Sequence, residues 1–160
     1  LFPYTTLFRS YVIDTTDYSI HDLRRVVTGV AGALINSRMN VTVMSFSYRY
    51  GLPREADLVF DVRFLRNPNW DPVLRAKTGL ESDVRQFVYQ DEVYAEFIKG
   101  IENLLNLLLP RYQNEGKSYL TIAFGCTGGR HRSVAITEEV AEQLRQRGEQ
   151  PVVSHRDIDR

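Results

Sequence analysis

The sequence predicts an α/β fold in which a mostly parallel or mixed sheet is flanked by helices, and three observations support this prediction. Short apolar runs of strand length alternate along the 160 residues with longer segments whose apolar residues recur at helical spacing. The run YLTIAF, residues 119–124, is apolar enough to be buried on both faces, as strands of a parallel sheet are. A glycine-rich turn, residues 125–131, separates this strand from a helix. Ligands in such folds bind beyond the carboxyl ends of the strands, so this turn is a candidate site.

The first half of the chain predicts one helix between strands. Residues 11–14 end a strand, and a capping pattern of Ser19 and Asp22 begins a helix. The apolar residues of that helix are Ile20, Leu23, Val27, Val30 and Leu34. The next strand alternates Val41, Val43 and Ser45 against Thr42, Met44 and Phe46, and ends at Gly51 to Pro53. A further strand, residues 56–64, places Leu58, Phe60 and Val62 on one face, and residues 65–72 have the composition of a loop.

The second half predicts three helices and two strands. Residues 80–90 suit a short helix and residues 91–112 a long one. The apolar stripe of the long helix is Val93, Phe97, Ile101, Leu104 and Leu108, which we assign to core packing. A buried strand covers residues 117–125, a helix runs from Ser133 to Arg147, and residues 151–160 contain a fourth short strand.

Composition and charge limit the possible functions. The chain is 43% hydrophobic and 25% charged, which is typical of a soluble globular protein, and it contains no apolar run long enough to span a membrane. Twenty basic and twenty acidic residues balance, so any RNA site must be a local patch. A single cysteine excludes an internal disulfide and a cysteine-based zinc site, and it suits the cytoplasm. We predict no membrane association and no metal.

Residues 1–10, LFPYTTLFRS, do not have the pattern of a signal peptide. They match the translation of a common sequencing adapter. We therefore expect them to be an artefact, and we expect the chain to be a fragment that lacks the N-terminal portion of its natural protein.

The segment GCTGGRHRS, residues 125–133, has the features of an oxyanion site. It lies between the end of a strand and the start of a helix, where free N–H groups and the helix dipole favour an anion. Gly128 and Gly129 allow the backbone to approach the anion closely, and Arg130, His131 and Arg132 add donors. Phosphate is the expected guest, although a glycine turn with basic side chains that face water would have the same pattern.

The same residues also match the signature of cysteine-based tyrosine phosphatases. Cys126, Gly129, Arg132 and Ser133 fit C-x-x-G-x-x-R-S, in which the thiolate attacks phosphorus and the arginine holds its oxygens. Gly125 stands where that family usually has histidine, and residues 65–72 are a weak candidate for the loop that carries its acid. A buried, inert Cys126 is a further alternative. The G-x-x-x-x-G-K-[ST] pattern of an ATP loop is absent from this turn.

Several blocks together resemble the C-terminal domain of the RapZ family of bacterial RNase adapters, which are also described as P-loop nucleotide-binding proteins. These blocks are GLPREADLVFDVRFLRNPNWDP, KTGLESDV, NLLLPRY, SYLTIAFGCTGGRHRSVAI and HRDI. Residues 39–160 are similar to the C-terminal domain, and residues 11–38 are similar to the end of the kinase-like N-terminal domain with its linker. The resemblance implies that the loop for ATP or GTP belongs to the missing portion, and that this chain itself holds no cofactor.

This resemblance implies a regulatory binding protein rather than an enzyme. The family's C-terminal domain is similar to a sugar-phosphate-binding domain of phosphofructokinase type. The implied ligand is glucosamine-6-phosphate, and the implied partners are small regulatory RNA, the ribonuclease of the degradosome and two-component system proteins. Self-association into a homo-oligomer is also implied.

The resemblance also implies two sets of site residues. The ligand-binding set comprises Asp61, Asn69, Trp70, Cys126, Thr127, Gly128, Gly129, His131, Arg132 and Ser133. In this set the turn and Arg132 would hold the phosphate, and Asp61 would pair with the ammonium or hydroxyls of an amino sugar. Asn69 stands where the family often has histidine, so it can hydrogen-bond a sugar without carrying charge. The RNA-binding set comprises Arg130, Arg145, Arg147, His155 and Arg156, which would make salt-dependent phosphate contacts or simply form a solvated surface.

Overall fold

A computed structural model of the chain describes residues 19, 20 and 39–160. The adapter-like residues 1–10, the strand end at residues 11–14 and the predicted helix beyond Ile20 lie outside the described residues. All elements that follow belong to one compact unit, residues 38–160.

The unit contains four strands and three helices. The strands are β1 (Asn40–Ser47), β2 (Leu58–Asp61), β3 (Tyr119–Cys126) and β4 (Val152–His155). The helices are α1 (Ser82–Tyr89), α2 (Tyr94–Asn114) and α3 (Arg132–Gln146). Short 3-10 turns cover Tyr48–Tyr50 and Pro68–Trp70.

The four strands form one parallel sheet in the order β2-β3-β1-β4. The central pair aligns Val43 with Ile122, and Ser47 with Cys126. The α/β prediction is therefore confirmed, and the described sheet is entirely parallel. Because the strands are parallel, the residues that follow β1, β2, β3 and β4 all emerge at the same edge of the sheet.

The main core lies between the sheet and the helices. Val41, Val43, Leu120 and Ile122 point to this face from the two central strands, which bury both of their faces. A smaller cluster of Met44, Phe46 and Ala123 covers the opposite face. The alternation arises because successive side chains of a strand point to opposite faces. Helix α3 contributes its first two turns to the interior, so its N-terminus lies deep in the unit.

One predicted strand boundary was wrong, and one predicted apolar stripe was wrong in part. The strand β1 does not continue to Gly51 but ends at Ser47, whose hydroxyl accepts a hydrogen bond from the Arg49 amide at 3.2 Å and starts a 3-10 turn. The buried face of the long helix also differs from the predicted apolar stripe. Helix α2 buries Ile98, Ile101 and Leu105, whereas Val93 precedes the helix and is 40% exposed. The run LLNLLL places leucines all around the helix, so its pattern does not select the buried face.

Gly79 fixes how the segment before α1 packs on the start of α3. Its amide donates to the Arg130 carbonyl at 2.8 Å. A Cβ at this position would lie 2.3 Å from the His131 carbonyl oxygen and 2.5 Å from the Ala135 nitrogen. Both are main-chain atoms of the turn and the helix. A side chain at residue 79 would therefore force two closely packed backbone segments apart.

We predict that Gly79→Ala lowers the free energy of unfolding by about 1–3 kcal/mol, the usual cost of overpacking. Gly100→Ala is the matched control, because Gly100 lies in α2 and a Cβ there meets no atom within 4 Å. The control should raise stability by up to about 1 kcal/mol through helix propensity. Urea denaturation of both variants tests the pair, and equal stabilities would contradict the described packing.

Candidate functional site

A cavity of about 350 Å³ opens at the carboxyl ends of the strands. Its floor is the turn between β3 and α3. Its remaining walls come from the segments that follow β1, β2 and β4. The lining residues are Arg49, Asn67, Asn69, Arg75, Ala76, Cys126, Thr127, Gly128, Arg130, His131, Arg132 and Arg160. The volume lies within the range of small-molecule sites.

The two glycines of the turn have different roles. Gly129 has φ +71°, and a Cβ there would lie 3.0 Å from the Ser47 Cβ and 3.1 Å from the Asp157 Cβ. It therefore allows the turn to press against the end of β1 and the residues after β4. Gly128 faces open space and lines the cavity, so its backbone is accessible to a ligand.

Arg132 connects the turn to the segment after β2. Its side chain lies at the first residue of α3 and is only 5% exposed. Its Nη1 donates to the carbonyls of Arg63 and Leu65, the latter at 3.0 Å, and Nη2 lies 3.5 Å from the Thr127 hydroxyl. Burial lowers the pKa of Arg132, but an arginine remains charged at neutral pH. A positive charge is thus fixed at the base of the cavity.

Three consecutive residues of the turn carry buried donors without a protein acceptor. Among the described residues, Arg130 Nε, His131 Nε2 and Arg132 Nε are buried and make no hydrogen bond. The His131 side chain is 9% exposed, and burial lowers its pKa. Main-chain groups of Arg75, Leu74 and Lys77 oppose this shift, and repulsion from Arg130 adds to it. Buried polar groups in native proteins are nearly always satisfied, so these nitrogens are expected to meet water or a ligand that accepts hydrogen bonds.

The cavity carries a strong positive charge. Five of the lining residues are arginines, and no aspartate or glutamate is among the lining residues that the structure describes. Arg160 lies 3.4 Å from the Asp157 carboxylate, whereas the other four form no ion pair with a described residue, and such charges favour phosphate, carboxylate or another oxyanion.

Asp157 anchors the turn from the other side. It is fully buried, and its Oδ2 accepts hydrogen bonds from the Ser47 amide at 2.8 Å and from Arg156 Nη2 at 2.7 Å. Ser47 then donates its hydroxyl to the Thr127 carbonyl at 2.7 Å. Burial alone would raise the pKa of Asp157, but the hydrogen bonds outweigh it and hold the pKa below its ordinary value. This chain of contacts joins the residues after β4 to the cavity floor.

Cys126 ends β3 and is 3% exposed, with its Sγ 3.1 Å from the Ser133 hydroxyl. The residue before it must be glycine, because a Cβ at Gly125 would lie 2.3 Å from the Phe46 ring. This packing explains why the histidine of the phosphatase signature does not occur here. Arg132 donates to main-chain carbonyls, and the described lining offers no carboxylate as a general acid.

The structure brings six of the ten ligand-binding residues into the lining: Asn69, Cys126, Thr127, Gly128, His131 and Arg132. Gly129 and Ser133 lie behind it as packing residues. Asp61 lies outside the lining and pairs with Arg63 at 2.6 Å, and the hydrogen bonds from Arg63 hold its pKa below the ordinary value. Trp70 also lies outside and is 80% exposed.

The five RNA-binding candidates do not form one patch. Arg130 lines the cavity, and Arg156 lies next to it, where it binds Asp157 and the Gly51 carbonyl. Arg145 and Arg147 lie at the opposite end of α3, where they pair with Glu142 and Glu102, respectively. His155 lies between the Ser45 hydroxyl at 2.8 Å and Glu138 at 3.0 Å.

The sequence also predicts that the loop from Asn67 to Asp71 faces the turn, and Asn67 does line the cavity; three further lining residues with side chains suited to ligands were missed, namely Arg49, Arg75 and Arg160. Arg49 follows β1, Arg75 follows β2 and Arg160 follows β4, and none of the three belongs to a short motif. The available signal was their position just after predicted strands, because all such positions converge at one edge of a parallel sheet.

The described residues contain no cluster of three or more His, Cys, Asp or Glu that could hold a metal. Among the same residues, no helix combines the length and apolar character needed to cross a bilayer.

The buried imidazole predicts a pH dependence of stability. Folding lowers the pKa of His131 from 6.5, so its contribution to stability is complete above pH 6.5 and is lost as the pH falls through the folded pKa. We expect the free energy of unfolding to decline in this window more steeply in the wild type than in His131→Gln. Urea denaturation at several pH values measures this difference, with His155→Gln as the control for a paired histidine. Equal slopes in the wild type and His131→Gln would contradict the prediction.

Comparison with known proteins agrees with the sequence resemblance. Residues 39–159 match the family model described as the RapZ C-terminal domain. A nucleotide-binding protein of Sphingopyxis alaskensis is 51% identical over 93% of this chain and 47% of its own length. One of Rhodospirillum centenum is 54% identical over 93% of this chain and 45% of its own length. The chain thus spans about half the length of the curated relatives it matches. The match over residues 39–159 shows that this chain belongs to the RapZ C-terminal domain family.

Proposed function

We propose that this chain is the regulatory part of an RNase adapter, which binds an amino-sugar phosphate and a small regulatory RNA and presents the RNA to a ribonuclease. The observation that carries the metabolite part is the trio of unpartnered buried donors on Arg130, His131 and Arg132. Family membership supports the adapter part. The resemblance further suggests two-component system proteins and a second copy of the chain as partners. The relatives are named nucleotide-binding proteins, and we assign ATP or GTP to the remainder of such proteins, because this turn lacks the ATP-loop pattern.

The phosphate would lie on the turn. The accessible backbone at Gly128 and the first turn of α3 supply N–H groups, and Arg132 supplies a fixed charge at its base. An anion beside His131 would stabilise the imidazolium form and raise its pKa. Phosphate binding would therefore satisfy donors that burial has removed from water.

The sugar would lie toward the segment after β2. Asn67 and Asn69 line this side of the cavity and can hydrogen-bond hydroxyl or amino groups. Asp61 is a less direct partner for the ammonium, because Arg63 already binds both of its carboxylate oxygens. An ammonium contact would require the Asp61 and Arg63 side chains to separate.

RNA would bind at the rim of the cavity. Trp70 is 80% exposed next to the lining residue Asn69, and an exposed indole can stack on an unpaired base. The arginines of the rim can contact neighbouring phosphates. Because Arg145 and Arg147 lie at the far end of α3 and are paired, we assign them no role in this RNA surface.

We predict that glucosamine-6-phosphate binds saturably to the chain in calorimetric titration, and that Arg130→Gln weakens binding. Loss of one hydrogen bond to a charged group should cost about 1.5–3 kcal/mol, or about ten- to a hundredfold in Kd. Arg145→Gln is the matched control, because Arg145 is an exposed arginine at the opposite end of α3. The Arg145→Gln variant should bind the ligand with the affinity of the wild type.

Glucosamine and inorganic phosphate are titrated separately as control ligands, because each carries only one of the two charged groups of the sugar phosphate. Equal binding of inorganic phosphate and the sugar phosphate would remove the amino-sugar assignment, and an absence of binding would remove the metabolite-sensing function. Release of phosphate that vanadate inhibits and Cys126→Ser abolishes would identify a cysteine phosphatase instead.

We also predict that Trp70→Ala weakens binding of single-stranded RNA by about 1–3 kcal/mol, the contribution of one base stacked on an aromatic ring. The Trp70→Ala variant should be as stable as the wild type, because the Trp70 side chain is 80% exposed. Tyr119→Ala is the aromatic control, since Tyr119 is 72% exposed at the start of β3, the end of the strand remote from Cys126. Fluorescence anisotropy with labelled RNA measures the effect, and equal affinities of the two variants would contradict an RNA site at the rim.

A further inference from the structure

We propose that Arg63 sets the selectivity of the site for an amino group, because it occupies Asp61, the carboxylate that the ammonium of the ligand would bind. This inference rests on the proposed function, since it takes the same cavity and the same amino-sugar phosphate and adds a residue that controls selectivity. The position of Asp61 beside the turn and the way in which Arg63 binds it carry the inference.

Asp61 is the carboxylate beside the turn on the β2 side. It ends β2 and is aligned with Gly125 of β3, the last residue before the part of the turn that lines the cavity. The Val62 amide donates to the Gly125 carbonyl at 2.9 Å, which keeps the end of β2 next to the turn. On the other side of the turn, Asp157 is fully buried and bound by Arg156. Of these two carboxylates, only Asp61 is accessible to a ligand, with a side chain that is 41% exposed.

Arg63 occupies both oxygens of this carboxylate. Its Nε lies 3.0 Å from Oδ1 and 2.9 Å from Oδ2, and its Nη2 lies 2.6 Å from Oδ2. These hydrogen bonds hold the pKa of Asp61 below its ordinary value, and the charge of Arg132 lowers it further. Asp61 is therefore ionised at neutral pH, and its charge is already neutralised by a cation of the same segment.

The Arg63 side chain can leave Asp61 while its backbone stays in place. The Arg63 carbonyl accepts a hydrogen bond from Arg132, which fixes the main chain at this residue. The guanidinium also lies 4.1 Å from the centre of the Tyr48 ring, a partner that remains available when another cation takes the carboxylate. The pair is 48% and 41% exposed, and ion pairs of such exposure are weak. An ammonium group can therefore displace the guanidinium at small cost.

A neutral group cannot make the same exchange. An ammonium replaces one positive charge on Asp61 with another, whereas a hydroxyl would leave the carboxylate without a cation. Arg63 thus reserves Asp61 for a ligand that carries an amino group, and it does so by competition rather than by contact with the ligand.

Calorimetric titration of the full chain tests this role with glucosamine-6-phosphate and 2-deoxyglucose 6-phosphate, which differ only in the amino group. The ratio of their Kd values measures the preference for the amino group, and any effect of a variant on the shared phosphate cancels in this ratio. In Arg63→Gln the preference should rise about two- to fivefold, because the ammonium no longer has to displace an exposed ion pair. Arg63→Lys keeps the competing cation, so its preference should remain close to that of the wild type.

The rise must also depend on Asp61. Asp61→Asn should lower the preference, and Arg63→Gln should produce no further rise in that background. Both side chains are exposed, so the variants should fold, and their melting temperatures verify this. An unchanged preference in Arg63→Gln, or a rise that persists with Asp61→Asn, would overturn the role of Arg63 and leave the metabolite function intact. Failure of glucosamine-6-phosphate to bind the wild type would overturn both.

Discussion

The geometry of the site depends on the buried guanidinium of Arg132. This side chain lies at the first residue of α3, and its Nη1 reaches the carbonyls of Arg63 and Leu65. It thus joins the segment after β2 to the turn after β3, which are neighbours in the sheet but distant in sequence. Main-chain carbonyls satisfy its donors without neutralising it, whereas a carboxylate partner would cancel its charge. The same contact that shapes the cavity therefore leaves a positive charge at its base.

A second set of contacts constrains the turn from the opposite side. Asp157 binds the Ser47 amide, and Ser47 binds the Thr127 carbonyl. Gly129 fits between them because any larger residue would meet Ser47 and Asp157 and would have to adopt a left-handed conformation. These contacts and those of Arg132 therefore hold the turn on both sides. Buried polar groups lower stability unless water or a ligand satisfies them, which is why these nitrogens support the proposed anion site.

The sequence predicted the individual strands and helices and the glycine-rich turn, which depend on neighbouring residues. It did not predict which distant residues the strand order brings together at the cavity. Alternation and helical spacing placed β3 and α3 within one or two residues, and the contiguous glycines and arginines of residues 125–133 located the cavity floor. The entirely parallel order was not predicted, because a strand pattern sets which face is buried but not which strand is adjacent. Arg49, Arg75 and Arg160 were missed for the same reason, since they meet only through that order. Asp61 was expected to contact the sugar, but Arg63, two residues away, holds its carboxylate.

The spacing C-x-x-G-x-x-R-S determines a backbone turn rather than a reaction. The turn places Cys126 at a strand end, Arg132 at a helix start and N–H groups between them, and this arrangement can hold an oxyanion in a binding protein or a phosphatase. Phosphate ester hydrolysis requires two further features. The arginine must be free to bind the phosphate oxygens, and an acid must protonate the leaving group. Here the arginine donates to carbonyls, and the described lining contains no aspartate or glutamate. The lining does contain His131, but burial lowers its pKa and so disfavours the protonated form that an acid requires. A turn that binds an oxyanion beside a histidine in its neutral form would hold a phosphate ester without cleaving it, which is what the proposed metabolite site requires.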